Sequence, residues 1–240
     1  MSKSPLHHPQ NPLYYPNTTL GIIQMTNKLV IGIVGNIGSG KDTISHYLSQ
    51  FHDFNQLSFA NSLKDAVASV FGWDREMLEG RTSESREWRE QVDPFWSKRL
   101  SMPTLTPRWV LQQWGTDLVR KNFHDDMWIA SLENKINKAS TNIVISDCRF
   151  PNEVQAIRDL GGSIIRVQRG DLPEWYPDAE LAIQGSNIGI NNLKIKKVHY
   201  SEWAWIGTKY DILINNDGTV DELYEKVSNF VENQLQISMT

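Results

Sequence analysis

The chain of 240 residues contains one cysteine. That excludes an intramolecular disulfide framework and any zinc site built from a cysteine cluster. It fits a reducing compartment such as the cytoplasm. No apolar run approaches the roughly 18 residues that a membrane-spanning helix needs. Basic charge is not in excess: 24 Lys and Arg against 28 Asp and Glu leave a formal charge of −4, which argues against a surface that coats nucleic acid. Disorder of the whole chain is excluded by a hydrophobic content of 40%. The length permits a full core without staples. Tryptophan is abundant, with nine residues.

Residues 1–27 differ from the rest. They carry Pro5, Pro9, Pro12 and Pro16, a His7-His8 pair and Tyr14-Tyr15. No basic segment precedes an apolar one there, so a secretory signal is not expected. The segment reads as a flexible arm, with Met25 as an alternative start. The domain then runs over residues 28–240. Short, β-branched apolar runs predict strands at Lys28–Val34, Asn55–Ser58, Asn142–Ser146, Ser163–Gln168 and Asp211–Ile214. Helical patterns fall at Asp42–Phe51, Ser62–Phe71, Pro107–Phe123, from a cap at Asp125 to Asn137, at Pro151–Leu160, and at Thr219–Glu232. Residues 75–99 are charge-dense without a period and read as short helices and loop. Residues 169–209 read as irregular. Strands alternating with helices imply a three-layer α/β fold: a central parallel sheet of about five strands with helices on both faces. Ligands in such folds bind beyond the carboxyl ends of the strands.

After the first strand stands Gly35-Asn36-Ile37-Gly38-Ser39-Gly40-Lys41-Asp42-Thr43. It fits G-x-x-x-x-G-K between a strand and a helix, where glycines let successive N–H groups face a phosphate. The helix N-terminus adds partial positive charge at the same place. Lys41 would bridge the outer phosphates. The next position, normally a Ser or Thr that binds Mg²⁺, is Asp42, with Thr43 one place later. Either Thr43 shifts into the role or Asp42 holds the ion through water. A carboxylate in the first turn also suits the helix dipole.

Placement argues against a guanine-nucleotide switch. Thr208-Lys209-Tyr210-Asp211 mimics its base-recognition signature but precedes a strand instead of following one, and Asp159-Leu160-Gly161-Gly162 sits at a helix end. Asp147-Cys148-Arg149 follows the strand at 142–146. Asp147 lies where a carboxylate approaches a Mg²⁺ shell, and Arg149 can fork two donors onto an acceptor phosphate. A simple Asp147–Arg149 pair is the competing expectation. Farther upstream, Arg108, Gln112, Thr116 and Arg120 recur every four residues and would share one helix face. That face suits an acceptor phosphate and a base edge; a solvated face is the plainer alternative.

Together these pieces resemble the phage-type deoxynucleoside monophosphate kinases, a branch of the P-loop nucleoside monophosphate kinase fold. The matching segments are Gly38–Thr43, Leu63-Lys64-Asp65-Ala66, Leu111–Asp117, Trp128, Asp147-Cys148-Arg149, Gly161-Gly162 and Asn216-Asp217-Gly218. The resemblance implies transfer of the γ-phosphoryl group of ATP, with Mg²⁺, to a deoxynucleoside monophosphate during viral DNA synthesis in the host cytoplasm. It implies no nucleic-acid or membrane partner; a homodimer is the expected assembly. Gly35, Gly38, Ser39, Gly40, Lys41, Asp42 and Thr43 would hold the ATP phosphates. Lys41, Arg149 and Asp147 would be catalytic, and Asp42, Thr43 and Asp147 would serve the metal. Arg108, Gln112, Trp114, Gly115, Thr116, Asp117, Arg120, Trp128 and Arg149 would bind the acceptor, in an insertion at about 73–128. Arg169, Asn216 and Asp217 would lie at the adenine and a lid-like region at about 169–209. That region holds few basic residues, so Arg81, Arg86 and Arg89 are alternative lid cations. His199-Tyr200-Ser201-Glu202 is a polar cluster able to touch a nucleotide. Cys148, between Asp147 and Arg149, is expected to react with thiol reagents and to be protected by nucleotide. The rival expectations are a kinase of another phosphorylated acceptor, such as dephospho-coenzyme A, and a non-catalytic nucleotide-binding regulator.

Overall fold

A computed structural model describes residues 28–238, so the expected arm at 1–27 lies outside the described residues. The apolar runs form β1 (Val30–Val34), β2 (Phe54–Leu57), β3 (Asn142–Ile145), β4 (Ser163–Gln168) and β5 (Ile212–Asn215). All pair in parallel, in the order β2-β3-β1-β4-β5. β1 is central, and Gly32 stands level with Ile145 of β3 and Ile164 of β4.

Both faces of the sheet are covered, as the continuous apolar strands require. On one face, Ile44 and Leu48 of α1 (Lys41–Phe51) and Leu223, Val227 and Val231 of α12 (Val220–Ser238) pack on Ile31, Ile33 and Ile165. α12 runs past its expected end at Glu232. On the other face, Ile129, Leu132 and Ile136 of α7 (Met127–Lys138) and Val154 and Ile157 of α8 (Pro151–Asp159) pack on Ile143, Ile145 and Ile164. The residue before α7 is Asp126, and its side chain makes no capping hydrogen bond, so the expected cap at Asp125 is not formed.

Residues 169–209 are not irregular. They contain α9 (Tyr176–Ile183), α10 (Asn187–Ile195) and α11 (Tyr200–Trp203). Tyr176, Ala179, Leu193, Trp205 and Ile206 share a core with Ile145. Much of the expected lid is therefore anchored to the sheet. Its helices are too short to display a period in the sequence.

A third core joins α2 (Asn61–Phe71), α3 (Arg75–Glu79), α4 (Ser83–Glu90), α5 (Pro94–Leu100) and α6 (Pro107–Gln112). Caps build these short helices. Asp74 accepts the N–H groups of Glu76 and Met77, Asp93 that of Trp96, and Thr106 that of Trp109. Six tryptophans (73, 88, 96, 109, 114 and 128) belong to this core. Three of the indoles find internal acceptors: Trp73 on Asp93 at 2.8 Å, Trp96 on the Phe71 carbonyl at 3.0 Å, Trp128 on the Gly115 carbonyl at 2.9 Å.

α6 continues without a break into a π-helical segment, Gln113–Arg120. Gly115 lies at its close approach to α2, where a Cβ would stand 2.8 Å from Leu63 Cδ2. The wider π turn changes which residues share a face. Arg108, Gln112, Thr116 and Arg120 therefore do not form the single polar stripe expected from their spacing. Arg108 pairs with Glu90 at 3.3 Å, whereas Arg120 turns inward. Trp128→Phe should keep most of the apolar contact and lose the hydrogen bond to Gly115. We expect a loss of about 1–2 kcal/mol in urea unfolding.

Candidate active site

The loop after β1 closes on itself. Gly40 has φ +108°, and a Cβ there would stand 2.5 Å from Asn216 Nδ2. Asn216 follows β5 and donates to the Ser39 carbonyl at 2.9 Å. The next residue, Asp217, accepts the Gly170 N–H at 2.6 Å. Both residues thus tie loops together at the carboxyl edge of the sheet, and Arg169 beside them is exposed. Lys41 Nζ donates to the carbonyls of Gly35 and Asn36, both at 2.8 Å. Burial, together with the nearby Arg149, lowers its pKa to about 8. Ser39 Oγ and Asn36 Oδ1 are buried with no hydrogen-bond partner among the described residues. Unpaired buried polar atoms are costly and call for a polar ligand.

Asp42 is exposed on the first turn of α1 and accepts from Ser146 Oγ at 3.0 Å. Ser146 follows β3. A carboxylate on the helix and a hydroxyl after the strand thus exchange the places they hold in other P-loop proteins. The pair offers oxygen donors of the kind a hard divalent cation takes. Thr43 is half-buried on the same turn.

Asp147 does not pair with Arg149. Its carboxylate accepts from Ser58 Oγ at 2.5 Å, Phe59 N at 3.1 Å and Ala60 N at 3.0 Å. It ties the β2–α2 loop to the end of β3, so its expected place in a metal shell gives way to a loop-holding role. Arg149 is half-exposed and lies 3.6 Å from Glu202 of α11. Arg89, buried in part, sits in the field of Arg108 and Arg149, and its Nε is buried without a hydrogen-bond partner among the described residues. Arg89 thus lies within electrostatic reach of two arginines from other elements. Arg81 and Arg86 are exposed, and Arg86 is spent on the Gly80 and Arg81 carbonyls.

Beside Arg149, a pocket of about 300 Å³ is lined by Thr116, Arg120, Phe150, Asn152 and Tyr200 among others. The Phe150 and Tyr200 rings are 5.7 Å apart. A second groove, of about 400 Å³, runs along Trp109, Gln113, Trp114 and Asp117.

The sequence matches a known family. Residues 98–227 fit the family model described as deoxynucleotide monophosphate kinase. A putative deoxynucleotide monophosphate kinase of Acanthamoeba polyphaga mimivirus is 30% identical over 88% of this chain and 100% of the relative. The chain belongs to the deoxynucleotide monophosphate kinase family. The deoxynucleoside-5′-monophosphate kinase of Escherichia phage T5 is 24% identical over 72% of this chain and 96% of that one. Among solved structures, a dephospho-CoA kinase from Campylobacter jejuni covers 87% of this chain and 98% of its own, with 13% identity and a TM-score of 0.42.

Several residues expected at the acceptor of this kinase are otherwise engaged. Trp128 is a core residue. Trp114 packs against the same core, and Gly115 serves the approach to α2. Asp117 accepts from Gln113 at 3.0 Å and from Lys121. Arg120 is held by Glu153. Gln112 and Thr116 are half-buried, and Thr116 lines the pocket by Arg149. His199 caps α11, accepting the Ser201 N–H at 3.2 Å, and burial lowers its pKa. Glu202, from the polar cluster at 199–202, joins the site through Arg149, and Ser146 is an addition that no motif in the sequence marks.

Cys148 overturns its expectation. It is 2% exposed, and burial pushes its thiol pKa well up. An exposed-thiol reagent should modify the native protein no faster than unfolding allows, with or without nucleotide. Lys41 yields a pH dependence. Its proton leaves at about 8 in the folded protein against 10.5 ordinarily. The native state therefore binds fewer protons in that window, and the Lys41 contribution to stability grows as pH rises through it. Phosphate needs the charged form, so ATP affinity, read by titration calorimetry, should weaken as pH passes about 8.

Proposed function

We propose that the protein is an ATP:deoxynucleoside-monophosphate phosphotransferase, yielding ADP and the deoxynucleoside diphosphate for DNA synthesis. Family membership supports this reading. The observation that carries it is the phosphate loop itself, where the Lys41 ammonium is held on the Gly35 and Asn36 carbonyls beside the unpartnered, buried Ser39 Oγ, within reach of the positive charge of Arg149 after β3. Two polyanions held face to face need such cations on both sides.

The loop N–H groups, Ser39 and Lys41 would hold the ATP phosphates. Lys41 would leave the carbonyls of Gly35 and Asn36 for the phosphates. Arg149, with Arg89 and Arg108, would hold the acceptor phosphate. The base would enter the pocket between Phe150, Tyr200 and Thr116, and Asn216 would steady the loop at the donor end. An acceptor phosphate oxygen attacks the γ-phosphorus in line as the bond to the β–γ bridging oxygen breaks. The attacking oxygen is already anionic, so no general base is required. Positioning and charge neutralisation supply the rate. Asp42 and Ser146 would hold Mg²⁺, which neutralises phosphate charge when bound.

Lys41→Ala should lower kcat by about 100-fold or more. Arg149→Ala should raise the KM for the acceptor at least about tenfold and leave that for ATP within about twofold. The assay is ADP release with ATP, Mg²⁺ and a panel of deoxynucleoside and ribonucleoside monophosphates and dephospho-coenzyme A. Turnover of dephospho-coenzyme A alone, ATP binding without transfer, or an Arg149→Ala variant equal to wild type with every monophosphate would each overturn the assignment.

A further inference from the structure

Glu153 is 2% exposed and Arg120 7%. One carboxylate oxygen of Glu153 accepts from Arg120 Nη2. The other accepts the main-chain N–H groups of Arg149 at 2.7 Å and Phe150 at 3.1 Å. The Arg120 guanidinium lies 4.2 Å above the Phe150 ring, and its Nη1 reaches the Asp125 carbonyl at 3.2 Å. A single buried carboxylate thus joins the π-helical segment to the turn that bears Arg149.

Helix capping explains only part of this. Glu153 is the third residue of α8, and its bond to the Phe150 N–H is an ordinary capping contact. Capping does not require the second bond, to the Arg149 N–H, or a guanidinium drawn out of water. Buried ion pairs seldom add net stability over apolar packing, because both charges lose hydration. The Arg149 side chain has little else to hold it: it is half-exposed, with one ion pair at 3.6 Å. Its placement is therefore set by its main chain.

We propose that the Arg120–Glu153 pair is a positioning device that fixes the Arg149 main chain and so the capture of the acceptor phosphate. This rests on the reading of Arg149 given above. It removes Arg120 from the residues that bind the acceptor phosphate directly and makes it, with Glu153, a positioning residue.

Glu153→Ala should raise the acceptor KM about tenfold, with kcat reduced less and the KM for ATP within about twofold. The deciding measurement is a double-mutant cycle with Arg149→Ala. Positioning through Arg149 demands that Glu153→Ala add less than about twofold to the acceptor KM once Arg149 is absent. If it adds its full factor there, or raises both KM values alike, the proposal is overturned. Should Glu153→Ala fail to fold by its melting profile, Arg120→Lys replaces it. That variant keeps the charge, and it should raise the acceptor KM about threefold or more with the same loss of effect beside Arg149→Ala. An unchanged acceptor KM in folded Arg120→Lys overturns the proposal. Arg149→Ala alone tests the underlying reading, so the two failures are distinguishable.

Discussion

A lysine ammonium held out of water at the carboxyl edge of a parallel sheet is the constraint around which the rest of the site is arranged. Lys41 loses hydration on folding and recovers part of it from two carbonyls of its own loop. That loop needs clamping, which Asn216 supplies from the end of the edge strand β5 through the Ser39 carbonyl. A second cation nearby, Arg149, makes the ammonium less comfortable still, and Glu202 offsets some of that repulsion. On the proposed reading, phosphate would satisfy Lys41 and Arg149 better than the protein does.

The same edge shows how a motif can change letters and keep its chemistry. Asp42 stands where a hydroxyl is usual, and a hydroxyl, Ser146, stands after the strand where a carboxylate is usual. Their hydrogen bond preserves an oxygen pair beside the phosphate loop. Asp147, one residue on, is thereby released to organise the main chain of residues 58–60. Neighbouring residues on one turn thus divide two tasks, one joined to the phosphate-loop helix and one holding the β2–α2 loop.

The sheet and the phosphate loop were legible because their signals are local. Buried parallel strands read as unbroken apolar runs, and the glycines of the loop sit within six residues of Lys41. The helices of 169–209 and the exact faces of 107–123 were not legible. Helices such as α9 and α11 are too short for a period to emerge, and caps and tertiary packing decide them. Spacing every four residues assumes an α-helix, and the π turn at 113–120 breaks the assumption. The role of Arg120 depends on Glu153, 33 residues away, and no spacing rule connects them. Cys148 was misread because proximity to Asp147 and Arg149 in sequence says nothing of direction: alternate residues leaving a strand face opposite ways.

A chain of net charge −4 can host two polyanions because its charges are sorted in space. Many carboxylates are consumed away from the site: Glu79 by Lys64 and Arg75, Asp65 by Arg75, Asp211 by Arg158. Among the described residues Arg89 has no acidic partner at ion-pair distance, and Arg108 and Arg149 have looser ones, at 3.3 and 3.6 Å. Holding such cations near one another costs repulsion, and the third core offsets it. The tryptophan-rich packing of α2 to α6 is what fixes the helices that carry Arg89 and Arg108. The abundance of tryptophan in this segment therefore serves the site indirectly: apolar burial there stabilises an array of like charges that would not otherwise stay together.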